Sequence, residues 1–306
     1  MMLIRRFVDY ARVPPPRGIV HVGAHVGQEI VEYASYDPAL VVWIEADPRK
    51  FDELKAYQAQ LALCPGRQVL CNALVSDTDG EEIVFRIAAG DGEASSMFAA
   101  TDLMRTELFQ EGVQTGEVLQ LRTRRLDGVL GENGVMPGDI DCLIVDTQGA
   151  ELKCLSGAGR YLDNVRWLVC EASTIELYQG GAQLGELDAF LAGKSFVRLT
   201  PDPPAGHGDV LYIRIRTNED DVPDRASDAE LRRRVNGMIG QFNDGARESL
   251  QPLLDDVITD FAPILSNRRS LDIAGVLLRL TYTEPLSSSF VRLLTMLGWP
   301  DASTPR

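Results

Sequence analysis

Residues 18–29 read GIVHVGAHVGQE, and their pattern decides the fold. A short apolar, β-branched run ends at Gly23, and a helical pattern opens just past Gly27. Glycine at a strand's end lets the backbone bend sharply and come close to a ligand. The start of a following helix presents free N–H groups to a carboxylate or other polar group. Working outward, short apolar runs recur at 41–44, 69–75, 142–145, 167–170, 196–199 and 210–213. Most have the length and β-branched character of strands buried on both faces. Helical patterns fall between them at 28–35, 48–62, 152–162 and 186–191. Asp47 is placed to cap the second of these, with Pro48 in its first turn. Such alternation predicts right-handed βαβ units and a mostly parallel sheet, an α/β domain of Rossmann-like type.

The second run strengthens the first. In VVWIEADP, Glu45 stands at the strand's end, about 20 positions after Gly23, where a Rossmann-type site holds ribose hydroxyls. A carboxylate there accepts both hydroxyl hydrogens; the other reading of Glu45 is a solvated loop acid. The third glycine of G-x-G-x-x-G is missing, and position 25 is His25. A pyrophosphate needs that close backbone approach, so an NAD-linked oxidoreductase is disfavoured. S-adenosylmethionine has no phosphate, and one glycine turn with an acidic ribose clamp suffices for it. The expected cofactor contacts are Gly23, Ala24, His25, Gly27 and Glu45. His25 has two open readings, a turn residue with an unusual backbone angle or a ligand contact. His21, inside the strand, is expected to be buried and satisfied.

Bulk properties narrow the field. A formal charge of −15 over 306 residues disfavours nucleic acid and anionic membranes as partners. The dense basic run Arg232–Arg233–Arg234 reads as a solvated helix face. Five scattered cysteines without CxxC spacing fit a reducing cytoplasm. Cys142 and Cys170 fall in apolar runs, where a thiol packs as a small hydrophobe. The N-terminus lacks the long apolar region of a secretory signal, and no stretch approaches a membrane span of about 20 apolar residues. Three histidines without partners at ligand spacing make a metal site unexpected.

The expected organisation is an N-terminal segment at 1–17, closed by Pro14–Pro15–Pro16, a main domain at 18–217 and a small all-helical module at 218–306. The module opens on the capping box formed by Ser227 and Glu230. Its apolar residues, among them Ile273, Leu277, Phe290 and Leu294, suit packing on the main domain or a homodimer. Within the main domain, 69–75 and 82–87 are expected to form a hairpin. Residues 88–117, rich in Gly, Ser, Met and charge, read as a long insertion near the active site.

Several strings occur in a recognisable order: HVGAHVGQE, WIEADP, NALVSDTDG, Ser95–Ser96–Met97, IDCLIVDTQGAELKCLSGA, WLVCEAS and GDVLYIR. The pattern at Asp146, Gln148, Gly149, Glu151, Leu155, Gly157 and Ala158 is the most specific. Over residues 18–214 the chain resembles the FkbM family of S-adenosylmethionine-dependent methyltransferases. The resemblance implies a class I methyltransferase fold with a seven-strand sheet whose last strand is antiparallel. It implies cofactor binding by Gly23 and Glu45, and an acceptor hydroxyl on a sugar or natural-product-like metabolite. It does not reach the C-terminal module.

Methyl transfer to an alcohol gains from a general base, by roughly 10²–10⁴-fold. Asp146 and Glu171 end the fourth and fifth strands, at the edge where ligands bind in open α/β sheets. Gln148 is also expected to face that cleft. Asp146 is a candidate for base, substrate positioning or cofactor contact; a helix N-cap is its other reading. His207, before the last strand, is a further candidate base. Asn72 is read either as an adenine contact or as a plain turn. Glu151 suits support of a helix start. Ser95 and Ser96 line the substrate pocket or are solvated, and Tyr178 meets a sugar or covers the core. Rival functions are methyl transfer to nitrogen and a non-catalytic binding or scaffold protein retaining the fold.

Overall fold

A computed structural model describes residues 3–11, 14–57, 64, 66–105, 114–215, 230–236, 254, 256–259 and 277. Contacts divide the chain into two units. The first comprises Met1–Leu3, Pro15–Phe190 and Asp202–Leu211; the second comprises Ile4–Pro14, Leu191–Pro201 and Tyr212–Arg306.

The strands are β1 (Gly18–Val22), β2 (Leu40–Glu45), β3 (Arg67–Asn72), β4 (Leu74–Ser76), β5 (Glu82–Ala88), β6 (Gln114–Arg125), β7 (Cys142–Val145), β8 (Trp167–Ser173), β9 (Phe196–Arg198) and β10 (His207–Arg214). Seven of them form one sheet in the order β3-β2-β1-β7-β8-β10-β9. β1 runs parallel to both β2 and β7, β2 to β3, and β7 to β8. β9 and β10 pair antiparallel. This is a Rossmann-like, mostly parallel sheet, as expected. Every residue of β1, β2 and β7 is buried, which explains their unbroken apolar runs. Trp43 of β2 stacks on Tyr33 at 5.2 Å between ring centroids, and both are fully buried.

Helices α1 (Leu3–Ala11), α2 (Ile30–Ala34), α3 (Pro48–Ala56), α4 (Leu126–Glu132), α5 (Glu151–Ser156) and α6 (Leu184–Ala192) complete the elements used below. Asp47 caps α3 by accepting from the Arg49 amide. The helix ends at Ala56; residues 58–62 of the expected longer helix lie outside the described residues. The expected helix 152–162 is two pieces, α5 and a 3-10 turn at Gly159–Asp163. Gly157 stands between them, so near β4 that a Cβ there would meet the Ser76 carbonyl oxygen at 2.1 Å.

The expected hairpin is not formed. The run 69–75 breaks at Ala73, whose amide bonds to the Glu45 carbonyl. β3 stays in the main sheet, while β4 leaves for a second sheet of order β4-β6-β5. β6 lies between, parallel to β4 and antiparallel to β5, so the supposed hairpin partners never pair. The long insertion therefore contains the start of a twelve-residue strand. Leu119 and Leu121 of that strand pack on a cluster of Leu74, Phe85, Ile87, Met97 and Ala150.

All five cysteines are free and buried, with Cys142 and Cys170 fully enclosed. Among the described residues no helix is long and apolar enough to cross a membrane. Residues 230–236 are helical, and Glu230 there pairs with Arg233 and Arg234. Ser227 and nearly all of the expected helical module lie outside the described residues.

Candidate functional site

The sheet order reverses between β1 and β7, and ligands bind in such sheets beyond the strand ends at the reversal. Gly23 leaves β1 with φ +81°. A Cβ there would lie 1.7 Å from the Asp146 carbonyl oxygen, so only glycine lets the two strand ends meet. The Gly23 and Ala24 amides both donate to the Ile44 carbonyl, at 2.9 and 3.0 Å. His25 takes a left-handed turn, φ +47°, and also lines the cavity described below; the two readings of that residue are compatible. Its Nε2 lies 3.0 Å from the Asp91 carbonyl oxygen, while its Nδ1 is buried without a partner. His21 is buried as expected, with Nδ1 3.0 Å from the Tyr33 hydroxyl. Burial lowers its pKa to about 3.

Glu45 is the last residue of β2 and only 8% exposed, not a solvated loop acid. Oε1 accepts from the Asp47 amide and Oε2 from the His25 amide, each at 2.8 Å. Burial pushes its pKa up, and the two amide bonds oppose the shift. Glu45 faces a cavity of about 230 Å³ whose wall also includes Gly23, Ala24, Glu29, Asp146, Gln148 and Glu171. Leu74, Phe85 and Met97 give the same cavity an apolar side. Part of the insertion covers it. Gly92, Glu93 and Ser95 line it, and Glu93 accepts from Gln28 Nε2 at 2.6 Å.

A connected polar group runs from this cavity to a second, smaller one. Gln148 holds a left-handed backbone, φ +56°. Its carbonyl accepts from Ser96 Oγ at 2.7 Å, and its Oε1 accepts from the Tyr178 hydroxyl at 2.7 Å. That leaves Nε2 to donate to both Asp146 Oδ1, at 2.8 Å, and Glu171 Oε2. The other Glu171 oxygen meets His207 Nε2 at 3.0 Å. Glu171 lines both cavities, and His207, with Tyr178, lines the second. Burial, then repulsion from Glu171, holds the Asp146 carboxyl well above the usual range. Burial, then Glu151, pushes Glu171 up to about 8. His207 is lowered by its own burial against the pull of nearby acids.

The N-cap reading of Asp146 is overturned, since α5 begins after Ala150. Glu151 does support that helix start: its Oε1 accepts from the Thr147 and Gly149 amides. Asn72 ends β3, and its amide donates to the Glu45 and Ala46 carbonyls. It is not among the residues that line the cavity, and its side-chain donors brace the Glu45 turn. Ser96 is fully buried as a brace for Gln148. Ser95 bonds within its own loop, to the Gly92 carbonyl and the Ala88 amide.

Gln148 carries more of the site than its residue type announces, because its bridging role exists only once β7, β8 and the insertion meet. Glu29 also lines the cavity and was not singled out; it stands two residues past the glycine turn, and nothing in the string GQE separates it from an ordinary helix acid. Phe85 and Met97 reach the cavity from the side sheet, which the hydropathy pattern did not reveal.

A mostly parallel sheet with a glycine bend and a buried strand-end acid lining a cavity at its reversal defines a Rossmann-like α/β protein. Residues 21–198 match the methyltransferase FkbM domain, and the chain belongs to the FkbM methyltransferase family. It is 28% identical over 211 residues to the 2-O-methyltransferase NoeI of Sinorhizobium fredii (strain NBRC 101917 / NGR234), an overlap of 68% of this chain and 83% of NoeI. Among solved structures, an uncharacterized protein from Listeria monocytogenes serotype 4b aligns with TM-score 0.38 at 9% identity, over 92% of this chain and 100% of that one. TrmK of M. capricolum, in complex with S-adenosyl-homocysteine, aligns with TM-score 0.36 at 8% identity, over 96% and 100% of the two chains.

Proposed function

We propose that this methyltransferase uses S-adenosylmethionine and methylates a hydroxyl on a sugar or natural-product-like metabolite. The observation that carries the proposal is Glu45, fixed by two backbone amides on the wall of the cavity that Asp146 and Glu171 also line. The residues fit the cofactor. Glu45 keeps free lone pairs for two ribose hydroxyls. Leu74, Phe85 and Met97 offer an apolar face to the adenine base.

The bound cofactor supplies a methyl group on a sulfonium, open to in-line displacement. The chain's own contribution is to hold the acceptor in line and exclude water, worth several kcal/mol in such reactions. An alcohol must also lose its proton as it attacks. Asp146 and Glu171 share one amide bridge, and Glu171, pushed up to about 8, suits proton transfer near neutrality. The deprotonated member of the pair takes the hydroxyl proton. His207, neutral and 3.0 Å from Glu171, is positioned to pass it on. The 2-O-methyltransferase name of NoeI supports oxygen as the acceptor atom.

Calorimetry with S-adenosylmethionine, S-adenosylhomocysteine and NAD tests the cofactor. Binding of the first two but not NAD is expected, and the reverse would overturn the proposal. A transfer assay over sugars, sugar nucleotides, natural-product alcohols and amines, reading S-adenosylhomocysteine release, then identifies the acceptor. Turnover confined to the amines would sink the hydroxyl assignment.

A further inference from the structure

The insertion runs along the main cavity in two parts that are held very differently. Residues 94–101 are anchored. Ser96 exchanges both main-chain bonds with Arg86, at 2.8 and 3.0 Å, and its hydroxyl donates to the Gln148 carbonyl. Met97 and Ala100 are buried, and the Ala99 carbonyl accepts from the Gln179 amide. Residues 89–93 are held lightly. All but Gly92 are exposed, and their main-chain bonds close within the loop, Gly92 to Ala89 and Ser95 to Gly92. Among the described residues, two side-chain bonds tie this stretch to the turn after β1. His25 Nε2 meets the Asp91 carbonyl oxygen at 3.0 Å, and Gln28 Nε2 donates to Glu93 Oε1 at 2.6 Å. His25, Gln28, Gly92 and Glu93 all line the main cavity, so these bonds join two of its walls. Gly90 and Gly92, on either side of Asp91, have φ +71° and +90°. A Cβ on Gly90 would meet nothing within 4 Å, and one on Gly92 would make only ordinary contacts, with the Ser95 and Lys50 side chains. Packing leaves both free to turn, and hinges are residues that absorb such backbone change.

We propose that residues 89–93 form a strap, latched across the cavity by His25 and Gln28 and hinged at Gly90 and Gly92, whose opening sets the rate of cofactor exchange. This rests on the cavity being the cofactor site. A ligand that passes between the strap and the glycine turn must break the latch. The two latch bonds give way before the buried strand ends do, because water replaces the partners of an exposed hydrogen bond. Each latch bond joins protein to protein. It therefore slows entry and exit alike and adds little to equilibrium affinity, whereas a ligand contact acts mainly on exit.

The test uses the purified full chain. Radiolabelled S-adenosylhomocysteine, chased with excess unlabelled ligand, gives the dissociation rate; calorimetry gives the affinity, and the two give the association rate. Glu93→Ala and Gln28→Ala each remove one latch bond at an exposed side chain. Each is expected to raise both rates about fivefold, the worth of one hydrogen bond, with affinity within about twofold of wild type. Gly90→Ala disfavours the left-handed hinge of the latched strap and is expected to act in the same direction. Gly80→Ala, with φ +79° and equally open surroundings but off the cavity wall, is expected to change neither rate. Unaltered rates in Glu93→Ala and Gln28→Ala overturn the strap. Faster dissociation with an unaltered association rate overturns it too, since that is the mark of a lost ligand contact. Wild type that binds neither S-adenosylmethionine nor S-adenosylhomocysteine overturns the cofactor reading itself, and the strap's role falls with it.

Discussion

The His25 amide donates to Glu45 Oε2 at 2.8 Å, so the loop after the first strand is pinned to the acid that ends the second. Because Asp47 donates to the other oxygen, both halves of the carboxylate act as acceptors.

Glu45→Ala is expected to weaken S-adenosylhomocysteine at least about tenfold, the cost of a lost charge-assisted pair. Glu45→Gln should be nearly as harmful, despite its matching shape. Its NH₂ must face one of the two backbone N–H groups, and a donor against a donor leaves both unsatisfied. Calorimetry reads the affinity and a thermal melt reads the loop. Unchanged affinity in both variants would remove Glu45 from the cofactor site.

Gly23→Ala tests the closeness of the two strand ends. Gly80 shares its backbone conformation, φ +79° against +81°, but a Cβ on Gly80 meets nothing within 4 Å. Gly80→Ala should therefore cost only the left-handed backbone term, about 1–2 kcal/mol. Gly23→Ala adds an overlap with the Asp146 carbonyl that no side-chain motion relieves, for a total of about 3–5 kcal/mol. Denaturant titration of both variants measures the difference. Equal losses would mean that β1 and β7 do not approach as described.

Much of this frame was legible because backbone chemistry writes itself into local sequence. The runs at Gly18–Val22 and Cys142–Val145 match β1 and β7 residue for residue, since strands buried on both faces tolerate little but apolar side chains. Asp47 and Pro48 announced their helix for equally local reasons. What could not be read was pairing at a distance. β6, mostly polar along its length, gains its place only by lying between β4 and β5, and so looked like part of a loop. Asn72 sat where a ligand contact was plausible, but its donors are taken by the carbonyls of Glu45 and Ala46. Asp146 and Glu171 were visible as strand-end acids. Their coupling through Gln148 was not, because it depends on Ser96 and Tyr178 arriving from distant parts of the chain.

The raised acids leave a signature in stability. Glu171 releases its proton at about 8 when folded, against 4.5 as its ordinary value. Between those two values the folded chain holds a proton that the unfolded chain has lost, so stability falls as pH rises from about 4.5 to 8. Asp146 and Glu151 are raised by burial and act with the same sign. His207 is lowered and acts with the opposite sign. Glu171→Gln should flatten the fall of Tm between pH 5 and pH 8 and make the variant more stable than wild type at pH 8. An unaltered slope would show that Glu171 titrates normally in the folded protein.

Asp146 and Tyr178 separate chemistry from positioning. Asp146→Asn preserves shape and still offers Oδ1 to Gln148 Nε2, so folding should be nearly unchanged. It removes a titrating group from the shared pair, and turnover should fall about 10²-fold or more, the range for loss of a general base. Tyr178→Phe leaves both acids in place but frees Gln148 Oε1 from its hydroxyl donor. The amide can then flip and present oxygen to the carboxylates, which disturbs the pair without deleting it. Its expected effect is a smaller loss in kcat, about tenfold or less by the worth of one neutral hydrogen bond, together with a shifted pH–rate profile. The two variants are compared by kcat, KM and pH profile at saturating cofactor. A wild-type rate for Asp146→Asn takes Asp146 out of the chemistry. An unshifted profile for Tyr178→Phe means that the Gln148 bridge does not set the proton affinity of the pair.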